Sequence, residues 1–132
     1  MIFSDNISMT GMEKILEIDS TYTWDKVNYI DSINYYIVHD DNCNDYSILD
    51  LGLRSIIADI CYTINVKFIN VNNLCLRYIG GKYNQIFGFE IIDKSKDGWE
   101  NEQRYLINDY ENHMIKFTCK EIKVVSVNYK DW

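Results

Sequence analysis

Tyr62-Thr63-Ile64-Asn65-Val66-Lys67-Phe68 alternates large apolar and polar side chains without a break. Successive side chains of an extended chain point to opposite faces. Tyr62, Ile64, Val66 and Phe68 therefore share one face, and Thr63, Asn65 and Lys67 the other. This is the pattern of a strand with one side on a core and the other in water, and it predicts a mainly β protein. Working outward, Asn70-Val71-Asn72-Asn73 reads as a turn, and Leu74-Cys75-Leu76-Arg77-Tyr78 resumes the strand pattern. Gly80-Gly81 reads as a hairpin turn. Ile86 to Ile92, apolar on both faces, reads as a central strand.

Upstream, Ser32 to His39 sets Ile33, Tyr35 and Ile37 against Asn34, Tyr36 and Val38, a further strand. The polar run Asp40 to Asp45 reads as an exposed hairpin end. Ser47 to Ile57 returns with Leu49, Leu51 and Leu53 inward, and Ala58-Asp59 connects to Tyr62. Downstream, Arg104 to Asn108 and His113 to Cys119 are strands on either side of a turn at Asp109 to Asn112. Lys120-Glu121 marks a bulge before the apolar run to Val127. The first 31 residues are less regular. Thr10-Gly11-Met12-Glu13 and Lys14 to Ile18 fit a short helix with Thr10 near its N-cap and Glu13 in a capping box, or else a strand of the main sheet. Trp24 and Tyr29 read as aromatic lids on the core. With no proline to blunt sheet edges, Lys67, Lys116 and Lys123 are expected to guard them. The whole is one domain over 1–132 with its β core at 32–127. The fold class is an antiparallel β-sandwich or strongly twisted sheet of about seven or eight strands, with at most one short N-terminal helix.

A chain of 132 residues can bury a core without staples, and 47% hydrophobic and 14% aromatic residues exclude a disordered chain. Eleven tyrosines and a single alanine favour strands over helices. Thirteen basic against 20 acidic residues leave a net charge of −7. Such a surface repels phosphate backbones and anionic lipid, which argues against nucleic-acid and membrane partners. It suits a basic protein partner, and it also keeps a small protein soluble. Cys43, Cys61, Cys75 and Cys119 are scattered without a C-x-x-C pair, and His39 and His113 stand alone, so neither a metal nor another cofactor is expected. No apolar run nears the ~20 residues of a membrane-crossing helix, and Met1 to Thr10 lacks the charge and apolar pattern of a signal peptide. The expected setting is cytoplasmic, with reduced cysteines.

Candidate chemistry is fragmentary. Glu121-Ile122-Lys123 has the E-x-K spacing of a metal-dependent nuclease strand, with Asp109 upstream. Glu90 and Asp93 are paired carboxylates, but strand parity sets them on opposite faces. Gly80-Gly81-Lys82 lacks the full phosphate-loop spacing. The aromatic-acidic clusters are more coherent. Asp97-Gly98-Trp99-Glu100-Asn101-Glu102 and Asp109-Tyr110-Glu111 sit on neighbouring connections. An aromatic ring among carboxylates suits an interface to a basic protein, with the ring as anchor and the charges as steering rim. The candidate partner-binding residues are therefore Asp97, Trp99, Glu100, Glu102, Asp109, Tyr110 and Glu111.

Trp24, Tyr29-Ile30-Asp31-Ser32-Ile33, Gly88-Phe89-Glu90-Ile91-Ile92-Asp93, Arg104-Tyr105, Asp109-Tyr110-Glu111 and Ile115-Lys116-Phe117 resemble small β-rich bacterial proteins. These are the immunity proteins of polymorphic toxin systems and their uncharacterised relatives. Where many of those have an aromatic followed by His-Asp-Ser, this chain has Tyr29-Ile30-Asp31-Ser32, without the histidine. The resemblance implies a cytoplasmic protein that binds and blocks a cognate toxin and has no enzymatic activity of its own; the acidic surface suits a basic toxin. Two other readings stand beside it. One is a small enzyme acting on a sugar or nucleotide through carboxylates such as Glu90 or Asp109. The other is a structural β-module that self-associates through unprotected edges.

Overall fold

The alternating stretch lies in the middle of a sheet. In the computed structural model, which describes residues 9–97 and 103–129, it forms β4 (Ile60–Ile69), paired on one side with β3 (Asp45–Ile57) and on the other with β10 (Glu121–Tyr129). Beyond β3 lie β2 (Val27–His39) and the two-residue β6 (Asn84–Gln85). Beyond β10 lies the equally short β1 (Met9–Thr10), which completes a six-stranded sheet. A second sheet holds β5 (Asn72–Leu76), β9 (Ile115–Cys119), β8 (Tyr105–Asp109) and β7 (Phe89–Asp93), in that order. Every pairing is antiparallel except β1 on β10. Eight of these ten strands have five residues or more, so the mainly β sandwich expected from the sequence is what is found.

The core is the space between the sheets. Leu49, Leu51 and Leu53 of β3 and Ile64, Val66 and Phe68 of β4 are buried on one side, facing Phe89, Ile107, Ile115 and Phe117 of the smaller sheet. Phe68 and Phe117 meet edge-on with ring centroids 4.9 Å apart, one from each layer. Each such side chain stabilises the fold by roughly 1.5–3 kcal/mol through apolar burial. Tyr22, Trp24 and Phe89 close one end as a row of edge-on rings. The Tyr22 hydroxyl is hydrogen-bonded to Ser55 Oγ at 2.9 Å, and burial pushes its pKa up to about 12.

Short-range chemistry shapes the larger sheet. Ala58 and Asp59 have φ of 51° and 66°, the left-handed pair that a two-residue hairpin turn uses to match strand twist. At the β2–β3 tip, the Asp40 carboxylate accepts from the N–H groups of Asn44 and Asn42 and from the Tyr46 hydroxyl, each at 2.9 Å. Those donors, the Asn44 N–H first, hold the Asp40 pKa below its ordinary value.

Several local expectations are corrected. The N-terminal segment is both of the forms considered: β1, then a one-turn helix α1 (Glu13–Leu16) that buries Ile15. Thr10 belongs to β1, and Met12 at the N-cap makes no side-chain cap. Gly11 links them at φ +83°, where a Cβ would fall 2.1 Å from the Val124 carbonyl oxygen. Gly80-Gly81 is no hairpin, because β5 and β6 lie in different sheets. Ile86 to Ile92 is no central strand either. Gly88 interrupts it at φ +72°, and β7 is the edge of the smaller sheet. The bulge falls between Val124 and Ser126, whereas Lys120 is the corner where the chain changes sheets, its N–H donating to the Ile69 carbonyl at 3.0 Å. Lys67, Lys116 and Lys123 all lie on strands paired on both sides, so none guards an edge.

Candidate functional site

After β8 the chain turns through Tyr110, Glu111 and Asn112 and returns as β9. The turn is held from below by Asp109. Period two along β8 places this residue with Tyr105 and Ile107 on the core side, where it is fully buried. Its Oδ1 accepts the Ile115 N–H at 2.8 Å, and its carbonyl accepts the His113 N–H at 3.0 Å. From the side, the Tyr110 N–H donates to the Gly88 carbonyl at 3.1 Å. A Cβ at position 88 would lie 2.7 Å from the Tyr110 ring. The glycine thus serves both its own left-handed backbone and the seat of the ring. Tyr110 stays 52% exposed, fixed at the backbone but open at its outer face.

Beside the ring runs a shallow groove of about 230 Å³, lined by Thr23, Trp24, Asp25, Phe89, Glu90, Ile91 and Tyr110. Its floor is apolar and aromatic, its charges are Asp25 and Glu90, and its lining holds no lysine or arginine. Asp25 accepts a hydrogen bond from the Thr23 hydroxyl, and Glu90 Oε1 accepts from Asn108 Nδ2 at 2.7 Å. Both carboxylates are thereby oriented, and Glu111 stands exposed at the adjoining turn. This arrangement can receive a cationic side chain against an aromatic face, an attraction that grows as water is excluded.

The sequence-derived candidates divide. Tyr110 and Glu111 lie at this groove or its rim, exposed. Asp109 is withdrawn: a fully buried carboxylate bonded to its own turn positions Tyr110 and meets no partner. Asp97 ends a 3-10 turn at Ser95–Asp97, and Trp99, Glu100 and Glu102 lie outside the described residues. The sequence reading placed Trp24 only as a lid and missed Asp25 altogether. A signal that could have pointed here is Gly88, a lone glycine in an apolar run, which marks a close approach of something to the backbone.

Several other charged groups are engaged with one another. On the outer face of the larger sheet, the Tyr36 hydroxyl donates to Asp50 Oδ2 at 2.9 Å and accepts from Lys67 Nζ at 2.8 Å. The bond to Tyr36, more than the nearby Asp50, raises the Lys67 pKa and keeps it cationic. Arg104 grips Asp93 with two bonds of 3.1 and 2.8 Å, which pull the Asp93 carboxyl down to about 2. That pair borders a depression of about 490 Å³, with Met9, Met12, Ile91 and Tyr105. Glu121 and Lys123 of the E-x-K motif lie on the larger sheet and Asp109 within the core side of the smaller one, so the three do not converge. Among the described residues no three His, Cys, Asp or Glu side chains gather as a metal site, and no helix is long and apolar enough to cross a membrane. The four cysteines are free thiols, and burial raises the pKa of Cys119.

No protein-family model, curated protein or solved structure matches this chain.

Proposed function

We propose that this protein is a non-catalytic binding module that neutralises a basic protein, in the manner of an immunity protein occluding its cognate toxin. The observation that carries this reading is the groove at Tyr110: an exposed ring held over Gly88, with Asp25 and Glu90 oriented beside Trp24 and no basic residue in the lining. An exposed aromatic ring can serve as an interface anchor, and carboxylates at its rim favour a partner of opposite charge. The net charge of −7 adds a field that speeds encounter with such a partner. The enzyme reading has less behind it. Asp109 is buried under its own turn, and Glu90 is bonded to Asn108 and opens on a shallow groove.

The test is affinity capture from the source organism with the tagged protein, at low and at high salt. The expected partner is basic, inhibits growth when expressed alone and is harmless when co-expressed. Tyr110→Ala is expected to weaken its binding at least about tenfold while leaving the fold intact. Weaker capture at high salt is the expected mark of charge steering. Absence of any such partner, or a Tyr110→Ala variant that binds like the native protein, overturns the reading.

A further inference from the structure

The outer face of the larger sheet holds a hollow of about 290 Å³ at Gly52. This glycine lies within β3, paired with Ser32 of β2 on one side and Asn65 of β4 on the other. A glycine inside a strand marks a bend, or a place where a ligand or another backbone comes close. A Cβ here would fall 2.3 Å from Ser32 Oγ and 3.5 Å from Asn65 Oδ1, so both side chains lean over the bare backbone. Asn34, Asp50 and Lys67 border the same hollow. The pairing is irregular at this level on two further strands. The β2 register shifts between Ile30 and Ser32, and the β10 register between Val124 and Ser126, where Ser126 is the partner of Asn65. Bulges re-aim side chains and recur beside active sites. Val125, the extra residue on β10, is 43% exposed and adds an apolar wall.

The polar groups of the hollow fall into two sets. The charged set is satisfied internally: Lys67 Nζ reaches the Tyr36 hydroxyl at 2.8 Å and Asp50 Oδ1 at 3.3 Å, and that hydroxyl donates to Asp50 Oδ2 at 2.9 Å. The neutral set is not. Asn65 spends its Nδ2 on Ser126 Oγ at 2.9 Å, which leaves Oδ1 beside Gly52. Among the described residues, the Ser32 hydroxyl and the Asn34 amide have no hydrogen-bond partner. An ion of either sign would meet a charge that is already paired, and an apolar ligand would strand the hydroxyl and the amides. A neutral molecule with adjacent hydroxyls, each both donor and acceptor, matches the groups left over. We propose that this hollow binds a neutral carbohydrate, a sugar ring seated over Gly52 with its hydroxyls on Ser32, Asn34 and Asn65 and its C–H face against Val125. A volume of about 290 Å³ stands at the small end of ligand sites, which run roughly 300–1,000 Å³, and so suits one ring rather than a long chain. With so few contacts the expected Kd is about 1 mM. None of these residues lines the groove at Tyr110, so the inference goes beyond the function proposed above and stands apart from it.

Heteronuclear NMR of the nitrogen-labelled full chain tests it, with glucose, galactose, mannose and N-acetylglucosamine each titrated to about 50 mM. At least one of them is expected to shift the side-chain amide signals of Asn34 and Asn65 and the backbone signal of Gly52 in a saturable way, while the Tyr110 signal stays in place. Ser32→Ala and Asn34→Ala, both at exposed positions, are expected to weaken that binding about threefold or more with an otherwise native spectrum. Gly52→Val occupies the hollow and is expected to abolish the shifts; the two alanine variants carry the test if this position does not tolerate valine. Absence of shifts at these residues with all four sugars, shifts that rise linearly and spread over the whole surface, or saturable binding unaltered in both alanine variants overturns the proposal.

Discussion

Replacing Gly88 by alanine probes the link between fold and site at a single atom. Gly88 holds φ +72°, and the added Cβ would lie 2.7 Å from the Tyr110 ring, where ordinary contact begins near 3.4 Å. The left-handed backbone costs a non-glycine residue roughly 1–2 kcal/mol. The ring adds a smaller cost, because Tyr110 is 52% exposed and can swing outward to relieve the clash. Together these come to about 2 kcal/mol, a fall in Tm of roughly 5–10 °C for a domain of this size. Urea denaturation of the native chain, Gly88→Ala, Tyr110→Ala and the double variant separates the two contributions. Without the ring, only the backbone cost remains, so the double variant should be more stable than the sum of the single changes allows, by about 0.5–1 kcal/mol. Additivity within about 0.3 kcal/mol, or a Gly88→Ala cost below about 0.5 kcal/mol, would refute the seat described for Tyr110. Because the ring moves, Gly88→Ala should also lose partner binding along with Tyr110→Ala.

Two further perturbations address the groups that frame the smaller sheet. Asp109→Ala removes the side-chain acceptor of the buried Ile115 N–H and is expected to cost about 1–3 kcal/mol in urea titrations, whereas Asp109→Asn keeps an acceptor and should cost less; equal stability of the alanine variant and the native chain would show that the turn does not depend on this bond. For Asp93, the folded pKa of about 2 lies below the ordinary 3.8, chiefly through the Arg104 hydrogen bonds, so its stabilisation is present above about 3.8 and is lost as pH falls toward 2. With the carboxylate side chain 43% exposed, solvent screening reduces that contribution to about 1 kcal/mol. Asp93→Asn should therefore flatten the urea midpoint between pH 5 and pH 2.5, and a pH dependence identical to the native chain's would count against the pair.

The larger sheet was legible from the chain alone because its signals are local. Period two along β2, β3 and β4 is set by adjacent residues, and the hairpin turns at Asp40 to Asn44 and Ala58-Asp59 join strands that are neighbours in sequence. Which sheet a strand joins is a different kind of fact. Asn72 pairs with Thr118, and Tyr62 with Tyr129, across tens of residues, and alternation is the same whichever partner a strand finds. For that reason β5 was read as continuing the hairpins, β7 as central, and three interior lysines as edge guards. The site divides in the same way. Tyr110 and Glu111 were visible as an aromatic-acidic turn. Asp109 shares the parity of Tyr105 and Ile107, which points it inward, yet a carboxylate is so rarely buried that its residue type outweighed its position. Only the packed structure brings Trp24 and Asp25 beside Tyr110, since that groove exists through the meeting of an early 3-10 turn with an edge strand of the second sheet. Side-chain alternation is written residue by residue, whereas adjacency between distant segments is decided by which buried faces fit together.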